Sequence, residues 1–321
     1  AFVYIGMQRS IENPKFGMIV FACSTLCNTV GNYLLIFGKF GFPMLGISGA
    51  AIATFASRVL EFVICFVYSL RCRTVPLMPR ALLRPGTGVL RSFIKYSTPV
   101  LLNESLWGLG TSMFTVIMGH MALSTDLIAA YTVAGNIDKL ITVANFGVAA
   151  AAAVIIGKEI GGGNRENVIE IGKCLCMVGL GVGLAMGLLQ LLLYFTVLRT
   201  YLLPLFGLSA IATMLCTVMV ICNSINSPLH AFSSASIVGV LRGGGDVRYA
   251  LLIDIGPLWL LTIPLMALTG LVLDLPPVWL CIAMATQSLP KLPLGMHRIV
   301  SGKWVHDVTV TAQQPDADAA P

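Results

Sequence analysis

The 321-residue sequence is 57% hydrophobic and only 11% charged, with a formal net charge of +6 and a mean hydropathy of +0.88. A soluble domain carries about a quarter charged residues, so these values exclude a chain whose main solvent is water. The apolar residues come in blocks long enough to cross a hydrocarbon core, which takes about 20 residues of helix. The blocks lack the polar/apolar alternation of a membrane barrel strand.

In chain order, residues 1–8 read as the last turns of a preceding span. Apolar blocks bounded by charges, Gly and Pro then predict spans at 17–38, 46–70, 96–119, 127–156, 168–198, 208–240, 249–271 and 276–297. The chain begins at Ala1 without Met or a charged leader and is expected to be truncated at the front. The polar, acidic run at 313–321 is expected to be disordered.

Alternating the loops across the bilayer sorts the cations. Arg9 and Lys15, then Arg71, Arg73, Arg80, Arg84, Arg91 and Lys95, then Lys158, Arg165 and Lys173, then Arg242 and Arg248, then Lys291, Arg298 and Lys303 fall on one side; Lys39 and Arg199 fall on the other. The rich side is assigned to the cytoplasm, and with it the carboxyl terminus of a multi-pass protein of the cytoplasmic (inner) membrane. This topology accounts for the net charge, so nucleic acid is not a required partner. Cys23, Cys27, Cys65, Cys174, Cys176, Cys216, Cys222 and Cys281 all lie inside apolar blocks and no CxxC pair occurs, so they read as small core residues.

The sequence also repeats itself. Gly6-Met7-Gln8-Arg9-Ser10-Ile11-Glu12-Asn13 overlays Gly239-Val240-Leu241-Arg242-Gly243-Gly244-Gly245-Asp246: a span end, a Gly, an Arg three residues later, and an acidic or amide turn. The offset of 233 residues holds six spans, which predicts two parallel six-helix units with about the first three and a half helices of the first one missing.

A charged side chain at mid-bilayer costs roughly 2.5–3.5 kcal/mol, so each one within a span has to face protein or a cavity. Glu104 lies about eight residues into its span, beyond Pro99 and beside Asn103. Its carboxylate suits Na⁺ or a proton in one state and a cationic substrate in another; the plainer reading is a protonated Glu bonded to a neighbouring helix. Asp138 sits between Asn136 and Lys139 in the 127–156 span. Adjacent residues point about 100° apart, so Asp138 is either an ion-site residue or half of a structural pair. Arg58 and Glu61 are three apart on one helix face and read as a structural ion pair.

The span 208–240 carries Asn223, Asn226, Ser227, Pro228, His230, Ser233, Ser234 and Ser236, and Pro228 leaves the carbonyl of residue 224 without its helical donor. A kinked, cavity-lining helix follows, or else helix–helix hydrogen bonding by small polar residues. His230 reads as a satisfied core residue or a proton relay. Asp254, six residues after Arg248, is expected to be partly hydrated and locally paired. The glycine triplets 161–163 and 243–245 are not followed by Lys-Ser/Thr, which removes a nucleotide-binding reading. No Ser/His/Asp or Cys/His set stands out, so an enzyme, a metal centre or a resident cofactor has no support.

Three stretches carry a resemblance. Gly31-Asn32-Tyr33-Leu34-Leu35-Ile36-Phe37-Gly38-Lys39-Phe40-Gly41-Phe42-Pro43, with Leu45-Gly46 and Gly49-Ala50-Ala51-Ile52-Ala53-Thr54, is similar to the fifth and sixth helices of the multidrug and toxic compound extrusion (MATE) family. Thr98-Pro99-Val100-Leu101-Leu102-Asn103-Glu104 with Trp107-Gly108 resembles its seventh helix, and Leu241-Arg242-Gly243-Gly244-Gly245-Asp246 its link between helices ten and eleven. The resemblance implies an all-α membrane protein, a two-lobe bundle of twelve helices of which about eight are complete here. Residues 1–71 would be the end of helix 4 with helices 5 and 6, 72–95 a cytoplasmic inter-lobe loop, 96–298 the complete second lobe, and 299–321 a cytoplasmic tail.

The resemblance further implies export of bulky, cationic organic compounds against Na⁺ or H⁺, by a monomer that alternates between two lobes. Many members carry an acid where Glu104 stands, with Na⁺ possible there. Some keep an Asp in the tenth helix where this chain has Ala231, which excludes coupling through that Asp. The nearest alternative is a lipid-linked oligosaccharide flippase of similar architecture, which would need several cations at depth; the sequence places only Arg58 and Lys139 there. A non-transport membrane protein is the second alternative.

Overall fold

The computed structural model describes residues 1–72, 87–163 and 165–306, and every regular element among them is helical. The chain divides into two compact units, Ala1–Gly86 and Thr87–Pro321. The expected inter-lobe loop falls partly on residues 73–86 and the expected disordered end on 313–321; both stretches lie outside the described residues.

The first unit holds α1 (Phe2–Ser10), α2 (Pro14–Phe37) and α3 (Ile47–Arg71). Pro14 opens α2, where the missing N–H costs nothing, and Gly38 closes it in the left-handed conformation at φ 63°. The α2–α3 hairpin is close because its facing residues are small. A Cβ on Gly49 would sit 2.5 Å from the Leu35 carbonyl oxygen, and one on Gly31 2.9 Å from the Ala53 methyl. Tyr4, Ile5, Phe16, Val20 and Cys65 form the core beneath, with Phe16 stacked on Tyr68 at 4.1 Å.

The second unit runs through α4 (Thr87–Gly119), α5 (Ser124–Gly161), α6 (Arg165–Leu193), α7 (Ala210–Leu241) and α8 (Val247–Val272). Two short helices follow, α9 (Val278–Ala285) and α10 (Lys291–Val300). The α6 helix continues through a π-helical stretch to Leu202, and α7 ends in another at Ser234–Leu241. Ser209 caps α7 by accepting from the Ala212 N–H at 3.0 Å. Among the described residues, six helices, α2, α3, α5, α6 with its extension, α7 and α8, are long and apolar enough to cross a membrane. Their exposed faces are built from Leu, Ile, Val, Met and Phe.

Three segments differ from those expected. Residues 87–95, expected as loop, are the first turns of α4, because a helix need not stop where the apolar run stops. The span expected at 276–297 is broken: α9 tightens into a 3₁₀ turn at Thr286–Ser288, and the chain restarts as α10 after Pro290, which has no N–H to continue the ladder. Residues 301–306, expected as tail, fold back. Trp304 is fully buried and its indole donates to the Ile299 carbonyl, while the His306 N–H reaches the Gly244 carbonyl at 2.9 Å.

The internal repeat extends to backbone geometry. After α1, the N–H groups of Ile11, Glu12 and Asn13 bond the carbonyls of Met7, Arg9 and Gln8 at 3.3, 3.1 and 3.0 Å. After α7, those of Gly244, Gly245 and Asp246 bond Val240, Arg242 and Leu241 at 2.8, 3.1 and 2.9 Å. The equivalent residues Glu12 (φ 62°) and Gly245 (φ 88°) are left-handed in both, as a Schellman-type helix end requires.

Helix α6 meets α7 along Gly179, Gly183 and Gly187. The Ser224 carbonyl, left without its helical donor by Pro228, occupies the space where a Gly187 Cβ would stand. Gly187→Ala is therefore expected to force the helices apart and lower stability by about 1–3 kcal/mol. Gly181→Ala, with open space around it, should leave the protein unchanged. Thermal unfolding of the two variants in lipid nanodiscs checks this.

Candidate functional site

The charges of the second unit converge where α4, the end of α7, α8 and α10 meet. Trp259 on α8 donates its indole N–H to the Leu106 carbonyl at 3.1 Å, and Leu258 fills the space left by the missing side chain of Gly110, so α8 lies close along α4. This contact brings Asn103 opposite Asp254. The Asn103 Nδ2 donates to Asp254 Oδ2 at 2.8 Å, while Lys291 Nζ donates to Oδ1 at 2.7 Å. Arg242 Nη2 lies 3.8 Å from Asp254 Oδ2, and its Nη1 donates to Glu104 Oε1 at 3.0 Å. Two carboxylates and two cations thus alternate in one connected, neutral set.

Burial grades across this set. The side chains of Lys291, Arg242 and Asp254 are 7%, 15% and 17% exposed, whereas that of Glu104 is 60% exposed. Asn103 is buried, and its Oδ1 has no hydrogen-bond partner. The loop alternation assigns Lys291 and Arg242 to the cytoplasmic side, and the structure shows that both side chains are largely buried there. The break at Pro290 turns Lys291 inward, where burial is tolerated because Asp254 receives it. Near the same turn, Arg298 pairs with Asp246 at 2.7 Å and lies over the Tyr249 ring at 4.3 Å.

The other candidates are distributed around this junction. His230, half-buried on α7, lies within electrostatic reach of Asp254, Lys291 and Asp138. Asp138 is half-buried on α5 and accepts from the Thr142 hydroxyl at 3.2 Å, while Lys139 turns away to the exposed Asn136, at 3.3 Å. Asn226 donates to the Ser288 hydroxyl at 3.2 Å, and Asn223 is half-buried on the same helix. Glu104 and Asn103 are thus brought together with Asp254, whereas Asp138 and Asn136 stand apart from them on α5.

In the first unit, Arg58 donates to Glu61 Oε2 at 2.7 Å. Glu61 is fully buried, with the Ser24 hydroxyl also at 3.5 Å, while Arg58 reaches out over the Phe2 ring. Asn32 donates to Asn28 and Asn28 to Thr54, a polar ladder between α2 and α3 that sequence reasoning missed.

Asp254, expected to be partly hydrated and paired locally, is instead largely buried and met by Asn103, Arg242 and Lys291 from other elements, a convergence that the sequence reading does not contain. A signal existed for Lys291: its neighbours Leu289, Pro290, Leu292, Pro293 and Leu294 are all apolar, which is unusual for a lysine in a hydrated loop.

The MatE family model matches residues 99–268. The chain is 22% identical over 314 residues to the probable multidrug resistance protein NorM of Thermotoga maritima, covering 97% of this chain and 65% of that relative. It is 29% identical over 272 residues to the probable multidrug resistance protein NorM of Bacillus cereus, covering 81% and 56%. The chain thus spans between about half and two thirds of the length of these relatives. Its fold matches that of a variant of the Vibrio cholerae MATE transporter VcmN with a TM-score of 0.77 at 17% identity, over 95% of this chain and 67% of that one.

Removing one member of a buried ion pair strands the other. Lys291→Met is expected to destabilise the protein by about 3–5 kcal/mol. The double variant Lys291→Met/Asp254→Asn, which removes both charges, should recover most of that loss in thermal unfolding.

Proposed function

Because the chain belongs to the MatE family, we propose that it acts in a secondary active exporter that moves organic cations out of the cell against Na⁺ or H⁺, with Glu104 as the site where the two cargoes compete. The relatives are named multidrug resistance proteins, which supports efflux of foreign small molecules as the broad activity. The observation that carries the site assignment is the position of Glu104. Its carboxylate is 60% exposed, beside Asn103 and Ser105 in an otherwise largely apolar stretch of α4, and a charge so placed needs a polar pathway or a cationic partner.

One negative site suffices for antiport. Occupation by Na⁺ or a proton neutralises Glu104 and expels the organic cation, and the reverse exchange follows on the other side of the membrane. Asn103 positions Glu104 by tying α4 to Asp254, and Asp138 with Asn136 forms a second candidate ion site on α5. Asn223, Asn226 and His230 line the polar path along α7. Two six-helix lobes would alternate access to the site in a monomer, with the carboxyl terminus cytoplasmic and no resident cofactor.

The flippase alternative needs unneutralised cations to hold a pyrophosphate. Arg242 and Lys291 are each committed to a carboxylate, which favours the exporter.

Binding of tetraphenylphosphonium to the chain in nanodiscs, followed by isothermal titration calorimetry, tests the site. Na⁺ or acid should displace the probe, and Glu104→Gln should weaken its binding by at least about tenfold, equivalent to roughly 1.4 kcal/mol. Unaltered affinity in Glu104→Gln would remove Glu104 from the mechanism.

A further inference from the structure

The candidate site already contains a cation. Arg242 holds Glu104 at 3.0 Å, so any Na⁺, proton or organic cation that takes this carboxylate has to displace a guanidinium. The structure shows where that guanidinium can go. Its second nitrogen, Nη2, stands 3.8 Å from Asp254 Oδ2, an ion-pair distance about 1 Å longer than a charge-assisted hydrogen bond.

We propose that Arg242 is an exchangeable counter-ion: when an organic monocation occupies Glu104, the Arg242 guanidinium transfers to Asp254. This rests on the assignment of Glu104 as the cation site and deepens it. The exchange solves an electrostatic difficulty. Glu104, Arg242, Asp254 and Lys291 are together neutral, so an incoming monocation faces no net attraction unless Arg242 withdraws from the carboxylate it guards. Asp254 is a suitable receiver because it is fixed from two other directions, by Lys291 on Oδ1 and by Asn103 on Oδ2.

A second observation points the same way. The buried Oδ1 of Asn103 has no partner, although the Nδ2 of the same amide is bonded to the Asp254 oxygen that faces Arg242. A guanidinium has five N–H donors in a fixed fork, so it can bond Asp254 and still offer donors to a further acceptor, which a lysine ammonium would do poorly.

Arg242 directly follows the π-helical end of α7 and precedes the Gly243–Gly245 turn; its displacement therefore reports occupancy at α4 to the α7–α8 connection. Arg242 also acts as a selectivity device. A neutral compound gains nothing from Glu104 while Arg242 holds it, so only cations compete.

A double-mutant cycle on tetraphenylphosphonium affinity tests the exchange in nanodiscs containing the 321-residue chain. Arg242→Gln removes the resident competitor and should tighten binding by about fivefold, the scale of one solvent-accessible ion pair. Asp254→Asn removes the receiver, leaves Arg242 on Glu104, and should weaken binding by about fivefold. In the Arg242→Gln background, Asp254→Asn should have no further effect.

If Asp254→Asn does not fold alone, Asp254→Asn/Lys291→Met, which removes both charges, takes its place with the same expected ratios. Equal effects of the Asp254 change in both backgrounds would overturn the exchange while leaving the role of Glu104 intact, provided Glu104→Gln still weakens binding by at least about tenfold. Loss of any Glu104 dependence would instead bring down both.

Discussion

A charge inside a hydrocarbon layer persists only where another group answers it, and Asp254 is the point at which this chain meets that requirement. Three of its partners come from three different elements: Asn103 from α4, Arg242 from the end of α7, Lys291 from the start of α10. Buried between helices, this carboxylate fixes which turn of α4 faces α8, and thereby places Glu104 on the accessible side of the same helix turn. Without Asp254, Lys291 would have no carboxylate to meet on turning inward, whereas Arg242 would keep Glu104. The geometry of the candidate site follows from the charge balance at this junction.

Packing elsewhere obeys the companion rule, that lipid offers no hydrophobic gain for bringing helices together. Close approach relies on small residues instead: Gly31 and Gly49 in the first unit, and Gly179, Gly183 and Gly187 in the second. The Schellman-type turns after α1 and α7 reuse one hydrogen-bond pattern 233 residues apart, once with glycine in the left-handed position and once with Glu12. In the second copy the turn carries Arg242, and it is there that the backbone repeat meets the charge cluster.

Much of this was legible in the amino-acid order. Apolar block lengths located the long helices, because a span must be about 20 residues whatever its neighbours do. The Gly6–Asn13 and Gly239–Asp246 overlay anticipated a shared turn, because left-handed helix ends have strong local residue preferences. Pairings across elements were not legible. Asn103 and Asp254 are 151 positions apart, and nothing local marks them as partners. The alternation of loops placed Lys291 and Arg242 on the cytoplasmic side, but side assignment says nothing of whether a side chain turns inward. The break at Pro290 was hidden within an apolar run that hydropathy reads as continuous.

If Glu104 exchanges an organic cation for the coupling ion, the exchange is read most directly by efflux of a fluorescent organic cation from proteoliposomes, with Na⁺ and pH gradients imposed separately, for the unsubstituted protein and Glu104→Gln. Gradient-driven efflux by the unsubstituted protein under at least one of the two gradients, and none by the variant, is the expected result. Equal pumping by the variant under both gradients would contradict it.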